Sequence, residues 1–132
     1  MKKIGIIGAM ELEVETLKAK MEVKQTTKKA GMEFFEGTLN GVDAVIVRSG
    51  IGKVNAGICT QILVDLFAVT HIINTGVAGS LDAKIDIGDI VVSTDVCQHD
   101  MDVTVMGYQL GEVPQLGTLS FPADERMASL AR

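Results

Sequence analysis

An α/β fold with a mixed, largely parallel twisted sheet flanked by helices is predicted by three features of this 132-residue chain. A short β-branched run, Ile4-Gly5-Ile6-Ile7, meets Gly8 and passes into a helical pattern. An Asn40-Gly41 pair joins two strand-like runs. Strand, helix, hairpin, helix, strand and strand then follow one another, the order expected of helices packed on a sheet.

The elements can be justified in turn. After the first strand, Val14, Leu17 and Met21 recur at i, i+3 and i+7, so "EVETLKAKM" reads as a helix with its charges outward. "MEFFEGTLNGVDAVIVRSG" reads as two strands, because Asn-Gly supplies the two positive φ angles of a tight hairpin turn. "IGKVNAGICTQILVDLF" reads as a mostly apolar helix with Val54, Ile58, Ile62 and Leu66 as its inward stripe. "HIINTGVAG" is expected to be a buried strand ending in a glycine-rich turn, and "GDIVVSTDV" a strand deep in the sheet. Residues 98–122 are mixed and punctuated by turn formers, a functional or interface loop. Asp124 is placed to cap a helix whose apolar stripe begins with Met127, Leu130 and Ala131. That pattern is cut at Arg132 after two turns. Residues 1–132 are therefore expected to be a single incomplete α/β domain, the N-terminal part of a longer chain lacking its C-terminal strands and helices.

Composition removes several functions. A net charge of −5 with dispersed basic residues does not suit a nucleic-acid surface. No apolar run approaches the roughly 18 residues of a membrane span. No leader pattern opens the chain, so a cytoplasmic location is expected. Cys59 and Cys97 are too few and too distant for a disulfide framework, and both are expected to be buried or half-buried thiols. His99, Asp100 and Asp102 lack a second nearby histidine, so no metal is expected; His71 reads as a partly buried structural residue, and His99 as an organiser of its loop. No cofactor is expected either. The dinucleotide fingerprint needs G-x-G-x-x-G, whereas Gly5-Ile6-Ile7-Gly8 has the wrong spacing and leads into glutamates that repel phosphate. Gly50-Ile51-Gly52-Lys53 is too short for a P-loop.

Three glutamates remain at the first turn. Glu11 and Glu15 read as decoration that suits the helix dipole. Glu13 differs, because it lies about 100° around the helix from inward Val14, beside the apolar face. From there a carboxylate can reach the cleft outside the carboxyl ends of the strands, where open α/β sheets bind ligands. The glycine turns at residues 49–52 and 74–79 would share that edge with Gly8, which favours one small-molecule site.

The stretches "KIGIIGAMELEVETL", "SGIGKVNAG", "INTGVAGSLD", "IGDIVVSTDV" and "HDMDVTVMGYQLGEVP" resemble the bacterial 5′-methylthioadenosine/S-adenosylhomocysteine nucleosidases, of the purine nucleoside phosphorylase superfamily. The likeness runs from residue 1 to about 122. It implies hydrolysis of the N-glycosidic bond of an adenine nucleoside, with Glu13 holding the nucleophilic water and acting as its general base. It places Met10 against the ribose, Ile51 at the base and alkylthio region, and Val77, Ala78 and Gly79 beside the adenine and sugar. It also implies a homodimer through residues 98–116 and adjacent helices, with Val103, Met106 and Pro114 entering the neighbouring subunit's alkylthio pocket. Val77 stands where the family commonly has serine, and Met106 where it commonly has phenylalanine. The valine removes a hydroxyl, shifts water positioning onto Glu13 and disfavours phosphate. The resemblance assigns the ribose-gripping carboxylate, the leaving-group acid and the base-stacking aromatic to the family's second half. The 132-residue chain alone is therefore expected to be inactive. The alternatives are a phosphate-dependent nucleoside phosphorylase and a non-catalytic nucleoside-binding or dimerisation module.

Overall fold

A computed structural model describes residues 2–131, which divide into two compact units, residues 1–79 and 80–132. In the first, strands β1 (Ile4–Gly8), β2 (Glu22–Lys29), β3 (Met32–Leu39), β4 (Val42–Arg48) and β5 (His71–Asn74) form one sheet in the order β2-β3-β4-β1-β5. β1 runs parallel to both β4 and β5, while β2-β3 and β3-β4 are antiparallel. The sheet is therefore mixed, as expected.

Alternation along the central strands sends side chains to two different layers. Ile6, Ala44 and Ile46 pack with Val14 and Met21 of helix α1 (Glu11–Lys20) and its cap. Ile7, Val45 and Val47 pack with Cys59, Leu63 and Phe67 of helix α2 (Lys53–Phe67). Phe67 stacks on Phe34 of β3 with ring centroids 5.1 Å apart. The α1 stripe is the one expected. The α2 stripe is not: Val54 is 71% exposed, and Ile58 and Leu66 are exposed too. A helix apolar nearly all round offers several stripes of equal period, and contact with the sheet decides between them.

Asn40 and Gly41 both have positive φ, 50° and 78°, as the two-residue hairpin requires. Ala30 and Gly31 repeat the device, with φ of 48° and 75°, and connect β2 to β3. β2 escapes sequence reading because "EVKQTTKK" lies almost wholly exposed and carries no alternating apolar face. β5 is half-buried rather than buried, because it pairs only with β1 at the sheet edge.

The second unit holds two-residue strands β6 (Asp95–Val96) and β7 (Phe121–Pro122), paired antiparallel, a 3-10 turn at Thr104–Met106, and helix α3 (Glu125–Ala131). The strand expected over "GDIVVSTDV" is reduced to Asp95 and Val96, and Ile90 is 90% exposed. No described strand pairs with residues 88–93, and an apolar run without a ladder partner does not form a strand. Asp124 does cap α3: its Oδ1 accepts the Met127 N–H at 2.8 Å. Met127 is half-buried, Leu130 is exposed, and Arg132 lies outside the described residues. No helix among the described residues is long and apolar enough to cross a membrane.

Candidate active site

Parallel pairing brings the carboxyl ends of β4, β1 and β5 to one edge. Backbone bonds tie the three following turns together there. Ser49 N–H donates to the Gly8 carbonyl at 2.9 Å, and Thr75 N–H donates to the Ile7 carbonyl at 2.9 Å. Buried Ser49 also donates its hydroxyl to the Gly50 carbonyl at 2.8 Å, which pins the β4 turn.

The three glutamates of α1 separate clearly. Glu15 is exposed. Glu11 is more than a dipole ornament: Lys18 Nζ donates to both its oxygens, at 2.8 and 3.0 Å. Glu13 is half-buried and turns back over the helix start. Its Oε2 accepts the Met10 N–H at 2.9 Å, the arrangement of a third-position helix cap. Its Oε1 accepts the Val77 N–H at 3.1 Å, across 64 residues of chain. These two N–H groups, Met10's first and Val77's second, hold the Glu13 carboxyl below the usual carboxylate range. The group is thus an anion at neutral pH, and its oxygens can also accept a hydrogen bond from a water molecule.

Glycine is a steric requirement here. A Cβ on Gly76 would lie 2.7 Å from Glu13 Cδ, and one on Gly8 would lie 2.7 Å from Val14 Cγ1 and 3.1 Å from Glu13 Cβ. The two glycines form the slot that holds the carboxylate. Sequence reading treated Gly76 as one member of a glycine-rich turn; its part in the slot is visible only when β5 lies beside β1.

Met10 is half-buried, while Ile51, Val77, Ala78 and Gly79 are exposed along the same edge. Met10 and Ile51, with Met32, Glu11 and Arg48, line an open cavity of about 350 Å³. Arg48 and Met32 are the residues of this group that sequence reading passed over; a lone basic residue at a strand end carries no pattern. Val103, Met106 and Pro114 belong to the second unit. Val103 precedes the 3-10 turn that ends at Met106, and Asp102 Oδ1 accepts the Thr104 hydroxyl at 2.8 Å and the Thr104 N–H at 3.2 Å. Those bonds hold the Asp102 carboxyl low.

Two other sequence expectations fail. His99 stands exposed, 4.0 Å from Asp100, so it does not organise its loop through a close side-chain bond. Cys97 is exposed, whereas Cys59 is buried, and burial pushes its thiol up to about 11. Cys59 sits in the cluster that α2 forms against the sheet, whereas Cys97 belongs to the second unit. The described residues hold no group of three His, Cys, Asp or Glu side chains able to share a metal ion.

Comparison with known proteins places this geometry. The chain matches the family described as the phosphorylase superfamily over residues 3–132. It is 50% identical over 124 residues to a 5′-methylthioadenosine/S-adenosylhomocysteine nucleosidase of Halalkalibacterium halodurans, covering 94% of this chain and 54% of that protein. The crystal structure of such a nucleosidase from Colwellia psychrerythraea, in complex with adenine, superposes with a TM-score of 0.94 at 47% identity, over 98% of this chain and 53% of that one. The Neisseria meningitidis nucleosidase, bound to methylthio-immucillin-A, gives a TM-score of 0.94 at 40% identity, over 99% and 56%. The chain thus spans about half the length of the relatives it matches. A mixed sheet whose parallel strand ends gather Gly8, Glu13 and the Gly76 turn, together with a match over nearly every residue, shows that this chain belongs to the phosphorylase superfamily.

Proposed function

We propose that the protein carrying this chain hydrolyses the N-glycosidic bond of 5′-methylthioadenosine and S-adenosylhomocysteine, releasing adenine and the corresponding thioribose. The observation that carries the reading is the Glu13 carboxylate, ionised and suspended between the Met10 and Val77 N–H groups at the strand edge. Cleavage of such a bond passes through an oxocarbenium-like state: the departing base takes the bonding pair, and a proton from the leaving-group acid that the resemblance assigns to the family's second half, and leaves a cationic sugar carbon. A fixed carboxylate stabilises that cation and holds a water molecule against it. As the water oxygen bonds to the carbon, its proton passes to Glu13. The names of the relatives support the substrate class.

Water rather than phosphate suits this turn. A carboxylate repels a phosphate dianion, and Val77 offers an N–H to Glu13 but no hydroxyl to an anion. Incubation of the full-length gene product with methylthioadenosine should release adenine at the same rate with and without phosphate. A strict phosphate requirement would reassign the protein as a phosphorylase.

The sign of the Glu13 shift gives a pH expectation. Its ionised form does the work, and its pKa is lowered, so activity persists as pH falls through the ordinary carboxylate range. The acid limb of kcat/KM, which reports the unliganded enzyme, should appear below the usual glutamate value. A limb rising above that value, absent from a Glu13 variant, would contradict the assignment.

The reading includes a cytoplasmic enzyme of methionine salvage that works as a homodimer. Residues 98–116 would meet the neighbouring subunit, with Val103, Met106 and Pro114 facing its 5′-substituent pocket. Exposure of Val105, Met106 and Leu110 supports such a contact, because apolar side chains on one loop gain by burial.

A further inference from the structure

The cavity beside the Glu13 turn has apolar walls, from Met10, Met32 and Ile51, and two charged residues, Glu11 and Arg48. It is continuous with the catalytic candidate through Met10, whose N–H holds Glu13. The charges around it do not pair evenly. Lys18 takes both oxygens of Glu11 and also lies 4.6 Å from the Phe35 ring centroid, which keeps it on the sheet. Lys28 takes Glu33 at 2.8 Å. Arg48 shares Glu11 in a loose ion pair, its Nε 3.8 Å from a Glu11 oxygen, too long for a hydrogen bond, and its side chain is 57% exposed. A guanidinium held only by this loose pair, with no hydrogen bond to Glu11 and at the lip of an apolar cavity, can turn its donors to a carboxylate on a short apolar stem.

Resting on the nucleosidase reading above, we propose that Arg48 is a specificity residue that binds the α-carboxylate of a homocysteinyl 5′ substituent. Met10, Met32 and Ile51 contact the thioether and methylenes that precede this carboxylate. The methylthio nucleoside ends before it reaches Arg48 and gains nothing from it. Discrimination between the two nucleosides is thus set partly on the first-half edge of the sheet, at the residue that closes β4.

The test compares adenine release by the full-length protein from S-adenosylhomocysteine, from methylthioadenosine, and from the S-adenosylhomocysteine analogue lacking the carboxylate. For Arg48→Met, the kcat/KM ratio of S-adenosylhomocysteine to methylthioadenosine should fall about 3- to 10-fold, mainly through KM, as a half-exposed ion pair allows. Removal of the carboxylate should cost the unmodified protein the same factor and cost Arg48→Met nothing further. Arg48→Lys should recover part of the ratio. An unchanged ratio in Arg48→Met, or equal losses for both nucleosides, overturns the proposal and leaves the nucleosidase reading standing. Failure of the unmodified protein to release adenine from either nucleoside overturns both.

Discussion

Replacing Glu13 by glutamine in the full-length protein is expected to lower kcat by about 10²- to 10⁴-fold, the usual worth of a positioned general base. Nucleoside binding, followed by calorimetry with methylthioadenosine, should stay largely intact, because the substitution removes charge and basicity rather than an apolar wall. The side chain also has a structural duty, since it caps the first turn of α1 through the Met10 N–H. A glutamine offers one acceptor oxygen where the carboxylate uses two, so one of the Met10 and Val77 N–H bonds is lost. Loss of the bond to the helix start should be visible as a modest fall in Tm. The two duties separate in the readout. A lowered Tm with near-normal turnover would leave Glu13 as a helix cap only.

The second large effect is expected at Gly76, a residue that carries no functional group. In Gly76→Ala the new methyl would lie 2.7 Å from Glu13 Cδ, closer than real contacts allow, and a tight 3.0 Å from its Oε2. The neighbouring atoms are the carboxylate itself, so the carboxylate must leave its slot. A displacement of about 1 Å at a reacting group costs on the order of 10²-fold in rate. Turnover of methylthioadenosine should therefore fall about 10²-fold while circular dichroism keeps its native shape. Normal kcat in this variant would mean that the Glu13 position seen here is not the working one.

Local rules read much of this fold correctly from residues alone. Asn40-Gly41 announces its hairpin because few other pairs accept two positive φ angles. Ile4 to Gly8 announces the first strand, and Asp124 its helix cap, for equally local reasons. The place of Glu13 beside the inward stripe of α1 follows from helical period, and that is why it separates from Glu11 and Glu15 before any contact is known.

Where several partners compete, the residues are silent. α2 has more than one apolar stripe, and only packing on Ile7, Val45 and Val47 selects Cys59, Leu63 and Phe67. β2 is a strand because β3 offers it a ladder, not because its own residues alternate. The apolar run near Ile90 shows the converse, a strand pattern without a ladder partner among the described residues. The site follows the same division. Sequence by itself determined that a carboxylate, three glycine turns and an α/β order belong together, because period and backbone freedom are properties of short stretches. Only the tertiary structure decided that Val77 binds Glu13, that Gly76 shapes its slot, and that Arg48 meets Glu11 only in a loose pair at the cavity lip. Those facts depend on parallel pairing of β1 with β4 and β5, which brings together residues that sequence distance keeps apart.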